Sequence, residues 1–303
     1  CVLGKKMKVI VQDPRSKKEI TTLDLENGAT LDDLKKAFIA SKTKRIGANR
    51  QRWTITVGGE SKAINKGPIV DSGVSDGSVV FIKDLGPQIS WTFVFMFEYF
   101  GPLIIYPLFY LQPSLIYPSF VPFDQRPLIQ HVALALWVLH YFKRELETLF
   151  VHRFSNDTMP FTNLFKNSGY YWGNTALCAY FVNHPLYTPP SDTFLYVGAT
   201  LFLISEVMNL GAHITLRNLR RPGTTERNIP RGGLFEFVSC ANYTWEILAW
   251  TGFTILTHSA ASAIFTLIGA GQMVVWALAK HRRYRKDFKD YPRKRKAIFP
   301  FLI

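Results

Sequence analysis

Hydrophobic and polar residues alternate in two different ways along the 303-residue chain, and the pattern changes near Leu85. Before that point, short hydrophobic runs are broken by lysines and acidic residues, as is typical of a water-soluble fold. From Ile89 onward, apolar and aromatic residues come in blocks of about 20, the length of a helix that crosses the hydrocarbon core of a bilayer. The pattern therefore predicts two domains, residues 1–85 and residues 86–303.

The first domain is predicted to contain two strands, a helix and two further strands. Thr30 followed by Asp33 is typical of a capping box at a helix start, with Leu31, Leu34 and Phe38 on one helical face. The strands are predicted at 7–11, 19–25, 53–57 and 78–83. This order resembles a ubiquitin-like α+β fold, for which a docking or structural role is expected rather than catalysis.

The second domain is predicted to be an α-helical multi-pass membrane domain, because it holds six apolar segments. These segments are 90–112, 128–151, 168–187, 193–216, 234–256 and 259–279.

The formal net charge of +14 is distributed in a way that favours a membrane protein over a nucleic-acid-binding protein. Lysines and arginines cluster beside the ends of the apolar segments, where they set topology and meet anionic lipid head groups. By the positive-inside rule, both termini and the basic loops are predicted to be cytosolic. The three cysteines show no paired spacing, so neither a metal site nor a disulfide framework is predicted.

Two of the apolar segments carry polar residues at helical spacing. Glu206, Asn209 and His213 lie at i, i+3 and i+7. Asn242 and Glu246 lie at i and i+4 on the following segment. Polar and ionisable residues at membrane depth are costly and usually face a partner or a cavity. We therefore predict that the two stripes converge.

An arginine-rich connection joins these two stripes. Its members are Arg217, Arg220, Arg221, Arg227 and Arg231. Guanidinium groups bind phosphates through paired hydrogen bonds and stack on aromatic bases. Topology and lipid binding explain part of this charge, and the remainder favours an anionic, amphipathic cofactor. Since no G-x-G-x-x-G follows a strand, a nucleotide is expected to be held by helix ends and loops.

The first two apolar segments contribute further candidates. Glu98 lies among aromatic residues, where a carboxylate needs a partner. Tyr141 and Arg144 share one face at i and i+3, and the guanidinium is well shaped for a phosphate. Lys143 and Glu145, beside them, are expected to extend toward the membrane surface.

The last apolar segment ends in a basic run at 280–291. Such a run after a membrane span usually forms a solvated tail beside lipid. His281 and Tyr284, at i and i+3, are alternatively placed to close over a phosphate-bearing ligand.

Five stretches of the chain are similar to the very-long-chain trans-2-enoyl-CoA reductases, a family related to the steroid 5α-reductases. They are 98–102, 141–154, 183–190, 240–246 and 281–303, so the likeness covers nearly the whole chain. Because the steroid branch has a seven-helix fold, the resemblance implies six to seven transmembrane helices behind the ubiquitin-like domain.

The resemblance implies an enzyme of the endoplasmic-reticulum membrane that uses NADPH to saturate the 2,3 double bond of a very-long-chain trans-2-enoyl-CoA. That reaction is the last step of each fatty-acid elongation cycle. The implied partners are the enoyl-CoA substrate, membrane lipids and other elongation enzymes, with no nucleic acid and no metal.

The resemblance also implies roles for individual residues. Glu98 and Tyr141 fall where steroid reductases hold the substrate carbonyl, and Tyr243 falls at the tyrosine regarded as the proton donor of the enoyl branch. His213 stands where steroid reductases have an aspartate. Together with His213, the implied cofactor-binding residues are Arg144, Asn209, Arg220, Asn242, Glu246, His281 and Tyr284.

Three alternatives remain open from the sequence. A steroid or sterol double-bond reductase would share the chemistry, a transporter would share the polar stripes, and a non-catalytic membrane scaffold would share the N-terminal domain. The choice between Tyr243 and Tyr141 as proton donor is also open.

Overall fold

The computed structural model describes residues 6–64, 67–154, 157–219 and 228–303. The chain forms two compact units. The first comprises Cys1–Ser90 with Thr158–Phe161, and the second comprises Trp91–Asp157 with Thr162–Ile303.

The first unit is built on a five-stranded sheet with the strand order β2-β1-β5-β3-β4. The parallel pair β1–β5 lies at its centre, and the other neighbouring strands are antiparallel. The strands are β1 Lys6–Gln12, β2 Glu19–Glu26, β3 Gln51–Val57, β4 Glu60–Ala63 and β5 Ser78–Asp84. The four strands predicted from sequence are confirmed, and the short, exposed β4 is an addition.

Helix α1, Leu31–Ala40, begins where the capping box predicts. The Thr30 hydroxyl accepts a hydrogen bond from the Asp33 amide at 3.3 Å, and the Asp33 carboxylate accepts one from the Thr30 amide at 2.9 Å. Leu31, Leu34 and Phe38 are buried against the sheet core. A second, two-stranded sheet in this unit pairs β6, Gln88–Ser90, with β7, Thr158–Pro160.

The second unit is helical. Its long helices are α2 Trp91–Tyr110, α3 Leu128–Phe150, α4 Thr162–Val182, α5 Asp192–Asn218, α6 Ala241–Thr257 and α7 Ala260–Asp287. Within the described residues, α2, α5 and α7 are long and apolar enough to cross a membrane. The fifth predicted segment begins later than expected, because a 3₁₀ turn at Gly233–Glu236 precedes α6.

Helices α5 and α6 approach each other at two glycines. A Cβ atom on Gly198 would lie 2.5 Å from the Gly252 carbonyl oxygen, and one on Gly252 would lie 2.7 Å from the Gly198 oxygen. Small residues allow this close backbone contact between helices in a membrane. The contact brings the polar stripes of α5 and α6 together further along the same two helices.

An aromatic core packs α2 and α3 against α6. Trp137 is stacked on Tyr106, with ring centroids 4.8 Å apart, and lies 5.2 Å from the ring of Phe253. All three side chains are fully buried. This core fixes the face that α3 presents to the polar residues of α5 and α6.

Candidate active site

The two polar stripes predicted on α5 and α6 meet in the structure. The Asn209 side-chain amide donates hydrogen bonds to the Asn242 carbonyl oxygen at 2.9 Å and to the Glu246 carboxylate at 3.1 Å. The indole N–H of Trp250 donates to the other Glu246 oxygen at 3.2 Å.

Helix α3 adds two cationic or ionisable groups to this meeting point. Lys143 donates to the Asn209 side-chain oxygen at 2.7 Å, and its Nζ lies 2.8 Å from Glu206 Oε2. His140 bridges two carboxylates: its Nδ1 lies 2.8 Å from Glu206 Oε1, and its Nε2 lies 3.4 Å from Glu246 Oε1. We call His140, Lys143, Glu206, Asn209, Asn242 and Glu246 the polar layer.

The expectation that Lys143 and Glu145 extend to the membrane surface is wrong. The Lys143 side chain is only 14% exposed, because it points inward to the polar layer. Glu145 is 7% exposed, and within the described part of the chain neither of its carboxylate oxygens has a hydrogen-bond partner.

A second group of charges, around Arg144, adjoins the polar layer through Glu147, whose Oε1 lies 3.7 Å from the Lys143 ammonium. The guanidinium donates to Glu147 Oε2 at 2.7 Å and to the Tyr99 hydroxyl at 3.0 Å. His213 Nδ1 lies 3.0 Å from Glu147 Oε1. Arg144 and His213, expected from sequence to contact a cofactor, are thus held by a shared acidic partner.

Glu147, His152 and His213 offer three potential metal-ligand atoms within 4.8 Å of one another. The permanently charged Arg144 lies 2.7 Å from the same Glu147 carboxylate and 3.4 Å from His213 Nδ1. A cation already balances this carboxylate, so the arrangement fits an ion-pair network better than a metal centre. Burial, together with the charge of Arg144, lowers the pKa of His152 to about 3.

Glu98 and Tyr141 occupy a buried, aromatic region between α2, α3 and α4. Glu98 is 2% exposed, and its carboxylate accepts a hydrogen bond from the Asn167 side chain at 2.8 Å. The Tyr141 hydroxyl is buried and has no hydrogen-bond partner among the residues that the structure describes. Its ring lies 6.2 Å from the rings of Tyr99 and Tyr171.

Tyr243 lies on a different side of α6, facing α7. The Lys280 ammonium lies 4.6 Å above the Tyr243 ring, and the Trp276 ring lies 6.2 Å away. Tyr243 also packs on a small core that includes Cys240 and Ile298. These contacts differ from those of Tyr141, so the two candidate proton donors occupy separate surroundings.

His281 and Tyr284 lie together near the C-terminal end of α7. His281 Nδ1 is 2.6 Å from the Ser239 hydroxyl, which in turn is 2.6 Å from the Tyr291 hydroxyl. The rings of Tyr284 and Tyr291 are stacked at 5.5 Å. Arg220, the remaining candidate, lies outside the described residues.

The structure therefore joins Asn209, Asn242 and Glu246 directly and places Arg144 and His213 beside them. The sequence analysis did not identify three contributors to the site: His140 and Glu147 on α3 and Asn167 on α4. A usable signal existed for two of them. His140, Lys143 and Glu147 recur at i, i+3 and i+7 along α3, the same spacing that revealed the stripe on α5.

The donor set fits the polar end of a nicotinamide cofactor. Adjacent side-chain amides and carboxylates supply both donors and acceptors, which a carboxamide and ribose hydroxyls require. Arg144 supplies a permanent charge suited to phosphate. The Tyr141 hydroxyl, unpaired within the described part of the chain, is a donor that a substrate carbonyl could satisfy.

The chain is an oxidoreductase that acts on a CH–CH bond, because relatives that match nearly its full length are named as enoyl-CoA reductases. The family model described as 3-oxo-5-alpha-steroid 4-dehydrogenase matches residues 157–303. A very-long-chain enoyl-CoA reductase of Dictyostelium discoideum is 51% identical, over 98% of this chain and 99% of the relative. A probable very-long-chain enoyl-CoA reductase of Caenorhabditis elegans is 47% identical, over 94% of each chain. The chain belongs to the very-long-chain enoyl-CoA reductase family.

Two further similarities are more distant. A human protein named trans-2,3-enoyl-CoA reductase-like is 37% identical, over 96% of this chain and 82% of the relative. The solution structure of a ubiquitin-like domain from Arabidopsis thaliana aligns with 28% of this chain and 82% of that domain, at 17% identity and a TM-score of 0.22. A TM-score this low carries no fold assignment.

Proposed function

We propose that this chain reduces the 2,3 double bond of very-long-chain trans-2-enoyl-CoA to give saturated acyl-CoA, with NADPH as the reductant. The observation that carries the proposal is the buried Tyr141 hydroxyl beside the polar layer, which has no hydrogen-bond partner among the described residues. The chain is 51% identical to a relative named as such a reductase. This reaction is the last step of a fatty-acid elongation cycle.

Tyr141 is the proposed donor to the thioester oxygen. Reduction of an enoyl thioester adds hydride at C3 and a proton at C2, and negative charge develops on the thioester oxygen between these steps. A preorganised donor at that oxygen stabilises the transition state most strongly where water is excluded. Tyr141 is fully buried, and Glu98, held by Asn167, supports the same region.

Tyr243 is the proposed source of the C2 proton. The Lys280 ammonium above its ring would stabilise the negative charge that develops as the proton leaves. The proposal assigns one task to each tyrosine: Tyr141 polarises the carbonyl, and Tyr243 protonates the carbon.

The polar layer is the proposed binding site for the nicotinamide and its ribose. NADPH supplies a hydride when bound. Asn209, Asn242 and Glu246 would orient the ring face, and Arg144 would contact a phosphate. Arg220, His281 and Tyr284 are the remaining proposed phosphate contacts, and His213 supports Arg144 through Glu147.

Several broader properties belong to the same proposal. We propose domains 1–85 and 86–303, the first of them ubiquitin-like, and six to seven transmembrane helices in the second. The lysine and arginine distribution supports cytosolic termini, and the family supports an endoplasmic-reticulum location. The enoyl-CoA, membrane lipids and other elongation enzymes are the proposed partners.

An absorbance assay tests the proposal. Purified protein in lipid nanodiscs is mixed with NADPH or NADH and either trans-2-hexadecenoyl-CoA or an enone steroid, and nicotinamide oxidation is followed. We expect oxidation with NADPH and the enoyl-CoA, and its loss in Tyr243→Phe without loss of NADPH binding. Turnover of the steroid alone would instead support a steroid reductase, and no cofactor binding would support a scaffold.

A further inference from the structure

An apolar cavity of about 510 Å³ lies between the end of α4 and the start of α7. Leu177 and Phe181 line it from α4, and Ala261 and Ile264 line it from α7. Leu186 contributes from the loop between α4 and α5. Its walls are mainly hydrocarbon and aromatic carbon, so its natural occupant is an apolar chain rather than a polar head group.

The α4–α7 contact leads from this cavity to the proposed substrate region. The Tyr170 ring lies 6.0 Å from Phe265 on α7 and 5.2 Å from Tyr171 on its own helix. Tyr171 in turn lies 6.2 Å from Tyr141. The helix pair that forms the cavity therefore also contacts the aromatic cluster around the Tyr141 hydroxyl.

An exposed face of α4 connects the two places. Tyr170, Leu177 and Phe181 share one helical face at i, i+7 and i+11. Gly173 lies on that face between Tyr170 and Leu177, and a Cβ atom there would meet nothing within 4 Å. The face from Tyr170 to Phe181 is about 16 Å long, from the helical rise of 1.5 Å per residue.

We propose that this face of α4 and the cavity hold the far end of the substrate's acyl chain and set the chain-length preference. The inference rests on the proposed function, because it needs a thioester at Tyr141. An acyl chain has no hydrogen bonds to satisfy, and within the bilayer it is stabilised by packing against the walls of the cavity. Long chains fill the cavity, whereas short chains end before Leu177.

The proposal is tested by filling the cavity. Ile264→Trp and Leu177→Trp place a large ring in it, and kcat/KM is measured with trans-2-hexenoyl-CoA and trans-2-tetracosenoyl-CoA. The introduced ring leaves no room for the end of the long chain, whereas the short chain ends before it. We expect at least a tenfold loss for the long substrate relative to the short one.

Val197→Trp is the matched control. It places the same ring on an exposed position of α5, away from the cavity, and should leave the ratio of the two kcat/KM values unchanged. An equal loss on both substrates, or no change with the long one, would overturn the proposal. Wild-type protein that reduces neither substrate would refute the proposed function instead.

A second readout does not depend on turnover or on the variants folding. A trans-2-tetracosenoyl-CoA with a diazirine at its last carbon is photolysed on wild-type protein in nanodiscs, and labelled peptides are mapped. We expect labelling within 177–187 and 259–264, competed by unlabelled enoyl-CoA. Labelling of these peptides only by a phospholipid carrying the same diazirine would show that the cavity holds bilayer lipid and would contradict the proposal.

Discussion

Tyr141 carries the most direct residue-scale prediction. Removing its hydroxyl in Tyr141→Phe keeps the ring packed against Trp137, Tyr99 and Tyr171, so the fold should survive. Loss of one donor to a developing oxyanion costs roughly 100- to 1,000-fold in kcat. We expect a fall of that size in steady-state enoyl-CoA reduction, with little change in KM.

Tyr106→Phe is the control for this variant. It makes the same change at a fully buried tyrosine stacked on Trp137, and it should leave kcat unchanged. A kcat for Tyr141→Phe within a few-fold of wild type would show that the carbonyl is polarised by another group.

His152 carries a prediction about stability and pH. Burial lowers its pKa from 6.5 to about 3, so between these values the unfolded chain binds a proton that the folded chain does not. Folding stability should therefore fall as pH drops from 6.5 toward 3, by up to about 1.4 kcal/mol per pH unit from this group.

His152→Gln should flatten that part of the profile, measured as the unfolding midpoint in detergent across pH. His131→Gln leaves the His152 site intact and should keep the wild-type slope. An unchanged slope in His152→Gln would show that other groups account for the acid sensitivity.

At the scale of elements, the close contact between α5 and α6 holds two walls of the polar layer together. A methyl group on Gly198 would lie 2.5 Å from backbone atoms of α6. This steric clash can be relieved only by moving one of the two helices. We expect Gly198→Ala to destabilise the protein by about 1–3 kcal/mol, as overpacking does. A lowered midpoint of thermal unfolding in detergent checks this.

Gly211→Ala is the matched change on the same helix, because a Cβ atom there would meet nothing within 4 Å. It should be neutral or slightly stabilising, since alanine favours a helix over glycine. Equal midpoints for the two variants would contradict the role assigned to the Gly198–Gly252 contact.

The elements themselves were largely predictable from the sequence. The capping box at Thr30 placed the start of α1, and the helical spacing of Asn209, Asn242 and Glu246 revealed two stripes that meet. Local patterns of this kind report on one helix or one strand at a time. Such patterns predict an element correctly when the residues on one face of that element are enough to identify it.

Helix α3 shows where such patterns fail. Its charged residues near the C-terminal end resemble a chain leaving the membrane, yet Lys143 turns inward to Glu206 and Asn209. The direction of a long side chain depends on which neighbouring helix it faces. That information lies in tertiary packing and not in the spacing along one helix.

At the scale of the molecule, the sequence predicted the division between a polar N-terminal part and an apolar remainder. It did not predict that Tyr141 and Tyr243 have separate surroundings, because the position of a residue along one helix does not show which neighbouring helices its side chain contacts. The distribution of tasks between these tyrosines depends on how α2, α4 and α7 pack around α3 and α6.

The central claim is that this chain transfers hydride to C3 of an enoyl-CoA and a proton to C2. Isotope tracing tests it most directly, with purified protein in nanodiscs, trans-2-hexadecenoyl-CoA and NADPH in which both hydrogens at C4 of the nicotinamide are replaced by deuterium. We predict one deuterium at C3 of the saturated product, and deuterium at C2 when ordinary NADPH is used in D₂O. Unchanged enoyl-CoA, or a product whose C3 deuterium comes from D₂O, would contradict the account.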